Sequence, residues 1–261
     1  MTMPPPAPST WRVLPLPELF ANHDEFRPPT TDELAGLELR LHFEHGPRLD
    51  VEVETETRLR WHSDDSLPWG TDGVEEYEAV VLRDGLYAVT VARLESNASA
   101  LVVLDRGRER ALVNFTTFDE IDGEVQEQTR FLEAGVDGPL REPFSRTGEL
   151  VGKRVAQRYS TTHVFEHIYL NPNTYAFQGL AGPEAGIAAA DPADYWKLGE
   201  NVYLLSWHER MRPFNGAVVV DLATSRSIGR LVGWDEIQGR TMHIRTGSTS
   251  TLLSVTSYDG I

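Results

Sequence analysis

The chain has 261 residues, no cysteine and a formal net charge of −16. The acidic balance argues against nucleic-acid and anionic-membrane partners, and the lack of cysteine excludes disulfides, thiolate nucleophiles and cysteine-ligated zinc. No apolar run approaches the roughly 20 residues that cross a bilayer. The start, with Pro4 to Pro6, lacks the basic and apolar parts of a secretory signal. We therefore expect a cytoplasmic protein with no nucleic-acid or membrane partner.

Residues 1–34 are rich in proline but also carry large apolar side chains. This combination predicts an ordered extension that packs across the mouth of a barrel. The residues expected to make that contact are Trp11, Val13, Leu14, Leu16, Leu19 and Phe20.

From Gly36 onward, apolar and polar residues alternate with the period of a strand that buries one face. Turn-forming pairs such as Asp84-Gly85 separate the later strands. Two alternating runs, Leu37 to Phe43 and Leu49 to Val53, begin the series. Further strands are predicted at 57–61, 75–83, 86–94, 100–105 and 110–117.

Residues 119–149 interrupt the alternation with acidic, glycine-rich and proline-rich sequence, and we predict that they join two halves. A short helix is expected between Gly123 and Glu133. Beyond the joint, many short strands with almost no helical periodicity favour closed up-and-down barrels, which leave no exposed sheet edge. These strands are predicted at 152–160, 163–170, 174–178, 194–198, 201–210, 215–221, 227–234, 240–246 and 250–257.

The two halves align at a constant offset of 116 residues without a net gap. A register that holds from Gly36 to Asp105 indicates duplication of a folding unit. We predict an all-β fold of two tandem lipocalin-like (calycin) antiparallel barrels. The predicted divisions are an extension at 1–34, a first barrel at 35–148 and a second barrel at 149–261. Matched pairs include Gly36/Gly152, Phe43/Tyr159, Trp61/Phe177, Tyr87/Tyr203 and Asp105/Asp221.

The predicted strand around residues 163–169 differs in chemistry from its counterpart in the first half. If Leu49, Val51 and Val53 point inward, the same register turns their equivalents inward. The second barrel would then have a titratable interior where the first is apolar. The residues of the second half on this face are Tyr159, His163, Phe165, His167 and Tyr169.

A second strand, 201–210, adds an acid to the same interior. Trp207 and Glu209 stand where the first half has Val91 and Arg93. Burial raises the pKa of a glutamate, which suits a general acid or base near neutral pH. His163 or His167 could exchange the proton with Glu209.

Three tyrosines and a tryptophan complete the predicted site of the second barrel. Tyr169 and Tyr175 could donate hydrogen bonds to a developing oxyanion, while Trp207 could stack on a planar substrate. Tyr203 shares the face of Trp207.

The same residues could have purely structural roles instead of catalytic or binding ones. The histidines and aromatic residues could be core. Glu209 could form a cross-strand pair with Arg158, Arg210 or Lys197, which contributes roughly 0.2–1 kcal/mol.

No metal site is predicted. On a regular strand the α-carbons of His163 and His167 would be about 13 Å apart, too far for one ion. The chain also lacks an HExxH helix, a phosphate-binding loop of the GxxxxGK[ST] type and a strand–GxGxxG–helix unit.

Motifs across residues 35–245 resemble the MoaF family, and the most specific one is His163-x-x-Glu-His-Ile-Tyr169. The resemblance implies a pair of calycin-type barrels, distantly similar to phenolic acid decarboxylases, which act on hydroxycinnamates without a cofactor. The decarboxylases' own tyrosine-rich motif is not recognisable in this chain. Other matching stretches are Glu149-Leu-Val-Gly-Lys-Arg154, Tyr195-Trp-Lys197, Trp207-His-Glu209, Val218-Val-Val-Asp221 and, in the first half, Leu59-Arg-Trp61 and Asp84-Gly-Leu-Tyr87.

We therefore predict a cofactor-independent lyase, isomerase or cyclase that acts by acid/base catalysis on a small apolar, aromatic or conjugated molecule in the second barrel. The alternatives are a non-catalytic carrier of hydrophobic molecules and a structural subunit whose barrels are filled by side chains. A second pocket is expected around Trp61, Tyr87 and Arg93, and the sequence leaves room for a homodimer. The catalytic candidates are Glu209, His163, His167 and Tyr169, and the substrate-binding candidates are Trp207, Tyr175, Tyr203, Phe165, Tyr159, Trp61, Tyr87 and Arg93.

Overall fold

A computed structural model describes residues 15–67 and 70–258 of the chain. Strands make up almost all of the regular structure in these residues, and one short helix, α1 (Leu16–Leu19), precedes them. Within the described residues there is no helix with the length and apolar character needed to span a membrane.

The first barrel consists of eight antiparallel strands in chain order. Each strand pairs with the next, and β8 pairs back with β1 to close the barrel. The strands are β1 (Glu38–Phe43), β2 (Arg48–Val53), β3 (Arg58–Leu67), β4 (Gly70–Arg83), β5 (Leu86–Arg93), β6 (Ala98–Asp105), β7 (Arg110–Ile121) and β8 (Glu124–Val136).

The second barrel has the same strand order. β10 pairs with β17, and the pairing of β12 with β13 completes the ring, while the short β9 lies against the other end of β13. The strands are β9 (Ser145–Arg146), β10 (Lys153–Arg158), β11 (Val164–Asn171), β12 (Thr174–Ala181), β13 (Ala188–Gly199), β14 (Val202–His208), β15 (Phe214–Asp221), β16 (Arg226–Asp235) and β17 (Arg240–Val255).

Strand positions in the two barrels repeat at the offset seen in the sequence. β5, β6, β7 and β8 begin at residues 86, 98, 110 and 124, and β14, β15, β16 and β17 begin at 202, 214, 226 and 240. The prediction of two tandem antiparallel barrels from an internal duplication is confirmed.

The predicted helix between Gly123 and Glu133 is wrong, because β8 occupies this stretch and pairs along its whole length with β7. Asp122 and Gly123 have φ values of 56° and 82°. Positive φ at both central residues is typical of the tight turn that joins two antiparallel strands. The exposed residues of β8, Glu124, Gln126, Gln128 and Arg130, are polar and alternate with half-buried ones, which obscured the strand.

In each barrel we call one end the mouth end. In the first barrel it carries the turns at 44–47, 94–97 and 122–123, and in the second it carries those at 159–163, 182–187, 209–213 and 236–239. Both mouth ends lie on the same side of the molecule, because the hydroxyl of Thr241 donates a hydrogen bond of 2.9 Å to the side-chain oxygen of Asn97.

Residues 15–27, which we call the N-terminal segment, lie across the mouth end of the second barrel. Leu16, Leu19 and Phe20 join the core of that barrel, as the sequence predicts, and Phe20 stacks on Phe214 at 5.3 Å. The backbone N–H of Leu16 donates to Asp235. Trp11, Val13 and Leu14, which were expected to help, lie outside the described residues.

The barrels pack side by side through the outer faces of β4–β7 and β13–β16. Many of the buried apolar residues are equivalent under the duplication, such as Val103 and Val219. A polar exception is the fully buried Arg230, which donates a hydrogen bond of 2.7 Å to the side-chain oxygen of Asn114, its own equivalent in the first barrel.

Candidate functional site

Alternate residues of β11 point into the second barrel. Phe165, His167 and Tyr169 are all buried in the core of this barrel. Their first-barrel equivalents, Leu49 and Val53, are likewise in the core of the first. The titratable residues of β11 therefore face the interior, as the register comparison predicts.

A small pocket of about 30 Å³ lies between this interior and the N-terminal segment. We call it the second-barrel pocket. Phe20 and His23 form its outer side, and aromatic residues form most of the remainder. The other lining residues are Tyr159, Phe165, His167, Tyr175, Phe177, Glu184, Trp207, Glu209, Phe214 and Leu231.

Three carboxyl groups lie near the mouth end of the second barrel, and we call Glu184, Asp191 and Glu209 the acid cluster because the first two act electrostatically on the third. Burial raises the pKa of Glu209 to about 7. Arg212 opposes this rise, while Glu184 and Asp191 add to it. Arg212 approaches the Glu209 carboxylate to 2.9 Å, so the alternative pairing of Glu209 with Arg158, Arg210 or Lys197 is wrong.

The other two acids of the cluster are also desolvated. Burial raises the pKa of Glu184 and that of Asp191 above their ordinary values. Asp191 accepts a hydrogen bond from the backbone N–H of Arg210 on one oxygen, and its other oxygen is buried without a partner. Carboxyl groups that share a desolvated site with few cations hold protons at higher pH than exposed ones.

His167 is neutral near physiological pH, because its complete burial lowers its pKa to about 3. Its Nε2 shares a hydrogen bond of 3.3 Å with the hydroxyl of Tyr159, and its ring lies 5.0 Å from that of Tyr175. Burial raises the pKa of Tyr159 and of Tyr175, so both phenols stay protonated. Glu209, with its pKa of about 7, therefore changes charge near neutral pH within this pocket.

His163 lies beside the pocket rather than on its surface. Its Nδ1 is 3.0 Å from the hydroxyl oxygens of Ser160 and Thr162, and its ring is 4.9 Å from that of His23. Burial lowers the pKa of His163, and the same cause lowers that of His23 to about 4.

Two further predicted residues lie away from the pocket. Tyr169 is fully buried beneath it, against Tyr175 and Tyr195. The hydroxyl of Tyr203 donates to Glu149 at 2.8 Å, which directs it away from the acid cluster. Tyr159, Phe165, Tyr175 and Trp207 do line the pocket.

The first barrel encloses a larger and more apolar space of about 110 Å³, which we call the first-barrel cavity. Of the residues predicted around a second pocket, Trp61 and Arg93 line it. Tyr87 does not, because its hydroxyl instead donates to Glu33 at 2.7 Å. Most other lining residues are leucine and valine.

Sequence reasoning missed His23, Glu184, Asp191 and Arg212 as members of the site. His23 follows Phe20 at the spacing of the apolar residues in the N-terminal segment, so the segment's own periodicity could have indicated it. Asp191 stands where the first half has Glu75, which is the cross-strand neighbour of Arg93. Comparing that pair with Asp191 and Glu209 could have revealed the two facing acids.

Within residues 15–67 and 70–258, no three or more histidine, aspartate or glutamate side chains are grouped so that they could hold a metal ion.

Two family models match the chain on either side of the joint between the barrels. The MoaF N-terminal domain matches residues 9–120 and the MoaF C-terminal domain matches residues 144–256. A curated relative, Protein MoaF of Klebsiella aerogenes, is 36% identical over 135 residues, which is 50% of this chain and 50% of that protein.

Among solved structures, one from Burkholderia vietnamiensis, described as a "putative beta-lactamase", covers 42% of this chain and 100% of its own. Its TM-score is 0.35 and its sequence identity 15%, so it carries no argument about function. The two family models, the curated relative and the pair of barrels agree: this chain belongs to the MoaF family.

Proposed function

We propose that the protein is a cofactor-independent enzyme that performs acid/base chemistry on a small apolar, aromatic or conjugated molecule in the second barrel. The lyase, isomerase and cyclase classes fit, since each needs a positioned proton donor or acceptor and a hydrogen-bond donor for a developing oxyanion. The observation that carries the proposal is the acid cluster, in which Glu209 lines an aromatic pocket with a pKa of about 7.

Glu209 is the proposed acid/base group. A carboxyl group with a pKa near neutrality is partly ionised at working pH, so it can take a proton from a substrate and return it. The neighbouring Arg212 offsets the negative charge when the proton leaves. Neutral His167 and the protonated phenols of Tyr159 and Tyr175 would orient the substrate and donate hydrogen bonds to it.

Aromatic side chains would hold the body of the substrate. Trp207 and Tyr175 lie 5.3 Å apart at 41°, and Tyr175 stacks with Phe177. Flat conjugated molecules pack well on such surfaces, because ring faces and edges carry complementary partial charges.

The N-terminal segment would act as the gate to this site. A space of about 30 Å³ holds only one or two waters, so a substrate must displace Phe20 and His23. The polar contacts of the segment with the barrel include the backbone N–H of Thr161 donating to Glu25 and that of Gly247 donating to the His23 carbonyl.

The test is a ligand screen by thermal shift with hydroxycinnamates, other aromatic acids and conjugated polyketide-like compounds. Wild type and Glu209→Gln are screened in parallel, and each hit is incubated with both and followed by chromatography. We expect a hit that stabilises both proteins but is consumed at least 100-fold more slowly by Glu209→Gln. The matched control, Glu120→Gln at the exposed end of β7, should consume it at the wild-type rate.

Stabilisation of both proteins without consumption would contradict the enzyme and support the carrier alternative. Equal consumption by wild type and Glu209→Gln would contradict the role of Glu209.

A further inference from the structure

The first barrel has smaller inward side chains than the second at equivalent positions. Both barrels have eight strands with the same pairing, so their backbones enclose similar interiors. Large side chains fill the second interior, while smaller ones leave space in the first. The equivalent pairs are Leu49/Phe165, Val51/His167, Val53/Tyr169, Leu59/Tyr175 and Val91/Trp207.

The strongest contrast involves one cross-strand pair. In the second barrel Trp207 lies opposite Gly216, and its ring covers that glycine so closely that a β-carbon there would clash with it. In the first barrel the equivalent pair is Val91 opposite Ala100, and both residues line the cavity. The space that the Trp207 ring fills in the second barrel is thus left empty beside Val91 in the first barrel.

The two ends of the first-barrel cavity differ in polarity. At the end opposite the mouth the cavity is lined by Leu34 and Leu104, and the hydrogen-bonded pair of Tyr87 and Glu33 is not part of the lining. At the mouth end the carboxylate of Glu75 accepts a hydrogen bond from the Trp61 indole at 3.4 Å and lies 3.3 Å from the guanidinium of Arg93. An apolar chamber therefore ends in a partly buried carboxylate.

We propose that the first barrel is a second binding site, for a neutral apolar molecule of about one six-membered ring that carries one hydrogen-bond donor. A dry apolar cavity of roughly 150 Å³ accepts benzene, and a chamber of about 110 Å³ accepts a ring of that size with small adjustments of its leucines. The ring packs against Val89, Val91 and Val102, and its donor points toward Glu75.

The probes are p-cresol and toluene, which have similar shapes and differ in one hydroxyl group. Binding to the full chain is measured by calorimetry and by thermal shift. We expect both probes to bind and to raise the Tm by roughly 2–5 °C near saturation. We also expect p-cresol to bind at least fivefold more tightly than toluene. Equal affinities would overturn the role of Glu75, and failure of both probes to bind folded wild type would overturn the site.

The variant that tests the location is Val91→Trp combined with Ala100→Gly. This pair copies Trp207 and Gly216 from the second barrel, where the same backbone accommodates them. We expect at least a tenfold loss of affinity for both probes. Leu49→Phe, which copies Phe165, is a milder filling change for use if the double variant does not fold.

Val74→Trp is the matched control, because Val74 lies on β4, alternates with the inward Glu75 and is 39% exposed. It adds a tryptophan to the same barrel and should leave both affinities unchanged. Unchanged binding in the folded double variant or in Leu49→Phe would overturn the proposal.

Glu209→Gln separates this site from the proposed catalytic one. It should bind both probes like wild type, since the first-barrel cavity contains no residue of the second barrel. Failure of the acid/base proposal would leave probe binding intact, and loss of probe binding would leave the consumption assay intact.

Discussion

The first barrel holds an apolar cavity that ends in the ion pair of Glu75 and Arg93, while the second is filled with aromatic rings and places Asp191 and Glu209 at those positions. Their strands nonetheless begin and pair at equivalent residues. The alternation of inward and outward residues fixes this architecture in both halves. The size and charge of the inward residues, which the alternation leaves open, decide what each interior can do.

The largest expected difference between the barrels concerns packing. Trp207→Ala should lower the free energy of unfolding by about 3–5 kcal/mol, because it removes a buried ring from a filled interior. Val91→Ala, at the equivalent position, should cost only about 1 kcal/mol, since Val91 is partly exposed beside space that is already empty. Urea unfolding measures both. Similar losses in the two variants would mean that the interiors are equally packed.

The pH dependence of stability should come mainly from the second barrel. The pKa of Glu209 is about 7 in the folded protein and 4.5 ordinarily, so between these values the folded state binds more protons than the unfolded state. Its contribution therefore falls as pH rises through this window, by roughly 3 kcal/mol at most. Urea unfolding of wild type and Glu209→Gln at pH 5 and pH 8 tests this.

Glu209→Gln should lose that part of the slope, whereas Glu120→Gln should keep it. If the free energy of unfolding of wild type and of Glu209→Gln depended on pH in the same way, the pKa of Glu209 would not be raised, and its carboxyl group would be solvated.

The smallest effect comes from imposing the acid pair on the first barrel. Arg93→Glu places a second carboxylate beside Glu75, and at pH 8 it should destabilise the protein by about 1–2 kcal/mol. Part of this loss should be recovered at pH 5, where one carboxyl group can take up a proton. Arg93→Gln removes the cation without adding an acid and should cost less at pH 8. A loss of stability that is the same at pH 5 and pH 8 would show that water solvates both carboxylates in the first barrel, so that neither pKa is raised.

Much of the architecture was predictable, because the offset carries structural information from one half to the other. The prediction failed at β8, where glutamate and glutamine alternate with Val125 and Thr129 on a strand that is half exposed. The strand predicted at 240–246 is the counterpart of the first part of β8, so subtracting the offset of 116 residues from it would have predicted a strand that begins at residue 124.

The candidate site was harder to predict than the fold. Strand parity correctly placed Phe165, His167 and Trp207 inside the second barrel. It could not foresee His23, which lines the pocket from the N-terminal segment, or Arg212, which contacts Glu209 from a turn, because neither segment has a strand period. Nor could it foresee the larger empty volume in the first barrel, since volume depends on how side chains fill space in three dimensions.

The contact between Arg230 and Asn114 bears on the symmetry of the molecule. In a twofold dimer of identical single barrels, a position on the axis faces a copy of itself. Two buried arginines would repel each other at low dielectric, and two asparagines would bring no cation. A fused tandem chain can place unlike residues on the two sides of that axis, and here it sets a guanidinium against an amide oxygen. A self-associating single barrel cannot form this unlike pair, and replacing the first half by a second copy of the second would bury two guanidinium groups against each other.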